Sequence, residues 1–88
     1  MMTLYEVIES LHNLENRMQV FERKYNLISE DFYLLAMAGR LEQSKDVIKW
    51  LGYYQLLLDR KELYRRLLTE KIPVPMTISE LVDLRVLA

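Results

Sequence analysis

Apolar residues recur near the start of the chain at alternating spacings of three and four: Leu4, Val7, Leu11, Leu14, Met18, Phe21 and Tyr25. That spacing puts all seven on one stripe of an α-helix and predicts a helix of about 22 residues, roughly 33 Å long. Thr3 with Glu6 forms a capping box at its start, and Asn26, which tolerates the left-handed conformation, marks its end. A short second helix is expected to begin at Ser29 as N-cap, with Glu30 and Asp31 in its first turn, and to run through Phe32, Leu35 and Ala36 to a stop at Gly39. After a connector over residues 40–43, Ser44 is a further N-cap with Asp46 just inside the helix. The third helix then runs from Lys45 until Pro73 forbids it, about 27 residues and roughly 40 Å.

In the first half of the third helix, Val47, Trp50, Leu51, Tyr54 and Leu58 share one face. A second face, turned by roughly 100°, carries Tyr53, Leu56, Leu63, Tyr64 and Leu67. A helix apolar on nearly all sides must be covered from several, which one long helix and one short one do poorly. Each Leu or Tyr left in water forgoes about 1.5 to 3 kcal/mol, so self-association is the expected remedy, with a folded-back tail as the alternative. Should the first helix pair with its own copy, Glu15 and Glu22 at e positions and Arg17 and Lys24 at g positions favour a parallel arrangement. Met18, Phe21 and Tyr25 suit a zipper poorly, which favours an intramolecular bundle face for that stripe.

Residues 1–72 therefore read as a helical domain and residues 73–88 as a separate C-terminal segment behind the Pro73-Val74-Pro75 link. Thr77 and Glu80 can form another capping box. Ile78, Leu81, Val82, Leu84, Val86 and Leu87 make either a short helix or a segment that orders only on docking. The expected fold class is all-α: a helical hairpin or small bundle of two long helices and one short one, with a helical or extended C-terminal segment, and oligomeric.

Composition narrows the function classes. An 88-residue chain buries only about 60 to 65 % of its unfolded surface, so a lone core is marginal and a partner helps. There is no cysteine and a single histidine, which removes disulfides, thiolate catalysis and a conventional zinc site. Twelve basic residues against thirteen acidic ones leave a net charge of -1, so no global field draws the chain to nucleic acid or to an anionic membrane. The most apolar stretch, residues 50–58, is too short for a span of about 20 residues, and no signal-peptide pattern precedes it. A cytoplasmic location is the resulting expectation.

Candidate chemistry is sparse. Glu9 and His12 have the one-turn spacing of carboxylate-bridged di-metal bundles, yet both fall on the outer side of the first helix, where a solvated histidine is the better reading. No phosphate loop, Ser-His-Asp set or nucleophile elbow occurs, so neither a catalytic nor a cofactor site is expected. Arg60, Lys61, Arg65 and Arg66 form a basic cluster that Asp59, Glu62 and Glu70 dilute into a solvated face. A helix-turn-helix reading fails on the length of the link after Gly39 and on the apolar character of the would-be reading helix.

The run Phe21-Glu22-Arg23-Lys24-Tyr25, then Ser29-Glu30-Asp31-Phe32-Tyr33, then Gly39-Arg40-Leu41-Glu42-Gln43-Ser44-Lys45-Asp46 and Trp50 resembles small helical antitoxin-like proteins of prokaryotic toxin–antitoxin modules. The resemblance covers residues 17–68. Asn26 stands where that pattern has Gly, residues 42–45 are less acidic than its link, and the tail lies outside it. It implies a non-catalytic helical body that binds a cognate toxin and occludes it. The alternatives are a self-assembling helical protein with no toxin partner and an RNA-binding accessory using residues 60–66. Partner-binding candidates are Tyr53, Leu56, Leu63, Tyr64, Leu67, Arg65 and Arg66 on the third helix, with Ile78, Leu81 and Val82 on the tail.

Overall fold

The computed structural model describes residues 1–72 and 75–81. They form α1 (Leu4–Tyr25), α2 (Ser29–Met37) and α3 (Lys45–Lys71), with one more helical turn at residues 78–81 and no strand among the described residues. This is the small all-α bundle of two long helices and one short one that the spacing predicts.

Local chemistry sets most of the helix ends. At the start of α1 the Thr3 hydroxyl accepts from the Glu6 amide while the Glu6 carboxylate accepts from the Thr3 amide, the reciprocal capping box. Asn26 closes α1 in the left-handed region at φ 53°. Gly39 at φ 69° turns the chain out of α2, a conformation that glycine adopts without steric cost. Ser44 caps α3 by accepting from the Val47 amide. At the far end Ile72 leaves the helical region at φ -124°, ψ 71°, because the ring of Pro73 clashes with a helical predecessor.

Helices α1 and α3 run antiparallel. Phe21 near the end of α1 stacks on Trp50 near the start of α3, with ring centroids 5.5 Å apart. Farther along, Arg17 donates to the Tyr53 hydroxyl at 3.5 Å and Arg60 donates to the Ser10 hydroxyl at 3.3 Å. Leu14, Met18, Phe21, Phe32, Trp50 and Leu57 make one core cluster. α2 lies across the first half of α3: Phe32 lies flat on Trp50 at 3.9 Å and 5°, and Tyr33 stacks on Tyr54 at 4.7 Å. The apolar stripe of α1 is thus largely consumed inside the chain, with Tyr25 at its end 46 % exposed, and Arg17, Glu22 and Lys24 all bond intramolecularly.

Two sequence expectations need correction. Ser29 is not an N-cap: Ile28 holds that place in extended conformation with no side-chain cap, and Ser29 is buried as the first residue of α2. Its hydroxyl accepts from the Trp50 indole N–H at 2.9 Å and its amide donates to Glu22 at 2.8 Å. An indole N–H buried without an acceptor would cost about 1 to 3 kcal/mol, a stronger demand than a helix cap. The other correction concerns α3, where Leu58 is 39 % exposed while Leu57 is 5 % exposed.

A polar clasp joins the end of α1 to the start of α3. Lys24 lies 2.7 Å from the Asp46 carboxylate, and the Tyr25 hydroxyl donates to the same oxygen. The hydrogen bond from Lys24, then that from Tyr25, holds the Asp46 carboxyl below the usual carboxylate range. The hydrogen bond to Asp46 pushes both the Lys24 ammonium and the Tyr25 phenol upward. A lowered acid contributes stability above its unfolded value and loses it as pH falls through the folded one. The raised Lys24 and Tyr25 contribute below their unfolded values and lose it as pH rises through the folded ones. We therefore expect the melting-temperature gap between the protein and Asp46→Asn to be widest between about pH 4 and pH 10 and to close on both sides. A gap that did not vary with pH would show that the clasp carries no charge-dependent stability.

Candidate protein-binding surface

The α1–α3 hairpin has two long flanks, and adjacent tyrosines on α3 mark them. Tyr54 faces Tyr33 of α2, whereas Tyr53 lies under the Arg17 guanidinium of α1, 5.8 Å from ring centroid to Cζ. Consecutive helical residues point about 100° apart, so these two tyrosines look out on opposite sides of the seam.

The flank that carries α2 is also the one the tail approaches. Leu81 shares a cavity of about 640 Å³ with Leu4, Ile8 and His12 of α1 and Leu68 and Ile72 of α3. Leu4, Ile8 and His12 lie on the side of α1 that Glu22, the partner of Ser29, also occupies. The described part of the tail therefore lies across that cavity from the opening turns of α1 and the end of α3, not on the second face of α3. Val82 and the later apolar residues of the tail lie outside the described residues.

The opposite flank is bare. Asn13 and Arg17 of α1 and Tyr53 and Leu56 of α3 line an open groove of about 510 Å³ there, and Tyr5 and Glu9 line both this groove and the tail-side cavity. Leu56 is 39 % exposed, and Tyr5 is exposed as well. Leu63 and Leu67, both half-buried, continue the Leu56 side of α3 at helical spacing. Four of the sequence-predicted partner residues, Tyr53, Leu56, Leu63 and Leu67, thus fall on one surface.

The other candidates separate from it. Tyr64 is half-buried and follows Trp50 and Leu57 at intervals of seven, which places it on the stripe facing α1. Arg65 and Arg66 are exposed, while Arg60 is half-buried on Ser10. The basic residues 60–66 therefore spread around the helix and form no single patch. Ile78 is exposed and Leu81 belongs to the cavity on the other flank. Sequence reading missed the α1 half of the surface, Tyr5, Glu9, Asn13 and Arg17, because three polar residues and a lone aromatic beside an apolar stripe look like ordinary solvated positions.

Glu9 and His12 are both exposed, and among the described residues no group of three or more potential ligands is placed to hold a metal ion. No helix among the described residues is long and apolar enough to cross a membrane. Ile28, Leu34 and Met37 on and beside α2 are exposed too, at 60, 60 and 52 %, giving a second apolar surface away from the groove. No family model, curated protein or solved structure matches the chain.

Proposed function

We propose that this chain is a non-catalytic protein-binding module, and that its partner is the toxin of a two-gene module, which it neutralises by occlusion. The observation that carries the binding reading is the uncovered flank of the α1–α3 hairpin, where Tyr5 and Leu56 are exposed and Tyr53 is half-buried. Large apolar side chains gathered on one exposed surface mark interaction sites on small domains. Charges of both signs at the rim, Glu9 and Arg17, fit the polar border of such an interface. The toxin as partner rests on the resemblance over residues 17–68.

Co-expression with the product of an adjacent short reading frame tests it. The expected result is rescue of a growth arrest and co-purification of the two chains. Leu56→Asp or Leu34→Asp should abolish rescue while leaving helicity intact, and the altered surface is the toxin-facing one where the effective variant keeps the parent's own mass in isolation. Full rescue by both variants, or no arrest to rescue, removes the antitoxin reading.

A further inference from the structure

The series Lys49, Leu56, Leu63, Glu70 runs along α3 at intervals of seven, two helical turns each in a packed bundle, so the four residues share one side of the helix. Leu56 places that side on the bare flank. Lys49, Leu56 and Glu70 are exposed and Leu63 is half-buried, so the side presents a basic end, an apolar middle and an acidic end. α1 carries the same polarity. Glu6 and Glu9 line the groove near the end where α3 finishes, and Arg17 lines it toward the end where α3 begins.

We propose that a second copy of this chain closes the flank, related by a two-fold axis passing between Asp59 and Arg60, with the two α3 helices antiparallel. The proposal rests on the reading of this flank as a protein-binding surface. In that register Leu56 meets Leu63 of the second copy and Lys49 meets its Glu70, each contact made twice, as a two-fold interface requires. Asp59 meets Arg60 across the axis. The acidic opening turns of α1 come to lie over the basic end of the other copy. A parallel pairing would instead set Lys49 against Lys49 and Glu70 against Glu70.

Gly52 gives a second, independent reason. It sits in the interior of α3, two turns from its start, where a Cβ would meet nothing within 4 Å, so nothing within the described chain requires glycine there. A mid-helix glycine is disfavoured relative to alanine. In the proposed register Gly52 lies under Leu67 of the second copy, and its missing side chain lets the two helices approach. Two helices of roughly 33 and 40 Å side by side, each about 10 Å across, offer on the order of 700 Å² per copy, close to a standard stable interface.

Sedimentation equilibrium of the full chain tests the proposal, with circular dichroism and Trp50 fluorescence confirming that each variant folds. The expected mass is twice the 10.6 kDa of the chain. Lys49→Glu and Glu70→Lys should each weaken the dimer about tenfold at low salt, since each turns two attractive contacts repulsive. Combining them in one chain should restore the dimer, and mixing the two single variants should give a heterodimer stronger than either homodimer. A monomer at several hundred micromolar overturns the proposal, as does a dimer indifferent to both single variants. A monomer that forms a one-to-one complex with the adjacent gene's product, protecting the Leu56 region from hydrogen exchange, also overturns it. That last result leaves the protein-binding reading standing, so the two claims fail separately.

Discussion

Trp50→Ala is expected to destabilise the chain by about 3 to 5 kcal/mol, the range for removing a fully buried aromatic. Trp50 is 2 % exposed and touches all three helices. Phe21 and Tyr25 of α1 stack beside it, Phe32 of α2 lies flat against it, and its indole N–H binds Ser29. For a chain of this size the whole folding free energy is about 4 to 13 kcal/mol, so the loss is a large share of the total. Urea unfolding followed by circular dichroism measures it, since the variant has no tryptophan to report. Trp50→Phe separates the two parts of the effect: it keeps an aromatic ring against Phe32 but removes the N–H, and should cost about 1 to 2 kcal/mol. A loss below about 1 kcal/mol for Trp50→Ala would mean that the three helices do not depend on this contact.

The boundaries of α1 and α3 were legible because each is set by chemistry within a few residues. Thr3 and Glu6 need only each other, Asn26 needs only its tolerance of positive φ, and Pro73 acts on its immediate predecessor. Ser29 shows where such reasoning ends. Within its own segment it has the sequence environment of a helix cap, but its hydroxyl accepts from an indole 21 positions away, and no local rule contains that demand. The bare flank escaped for a similar reason. Its α3 half was visible as a second apolar face, whereas its α1 half is polar and becomes part of a surface only through the antiparallel pairing that puts Arg17 beside Tyr53. The heptad order Lys49, Leu56, Leu63, Glu70 was present in the sequence throughout. It acquires meaning only once Trp50, Leu57 and Tyr64 are known to face α1, because that fixes which side of α3 is left over.

Adjacent leucines offer the sharpest check of that facing. Leu57→Ala should cost about 2 to 5 kcal/mol and Leu58→Ala under about 1 kcal/mol, although the two residues are chemically identical neighbours. Helical spacing from Trp50 places Leu57 two turns on and nearly in line with it, and Leu58 about 100° further round. Reading only the densest apolar arc drew the face through Tyr54 and Leu58, because the stretch 50–58 is apolar on almost every side and period alone cannot choose among its faces. The choice is made by α1: Leu14 and Phe21 bury Leu57 and Trp50 in one cluster, whereas Leu58 lies 39 % exposed, past the stretch of α3 that the stacks on Trp50 and Tyr54 cover. Chemical denaturation of both variants decides the matter. Equal losses, or a larger loss at Leu58, would rotate α3 about its axis, move Lys49, Leu56, Leu63 and Glu70 off the bare flank, and remove the surface on which two copies are proposed to meet.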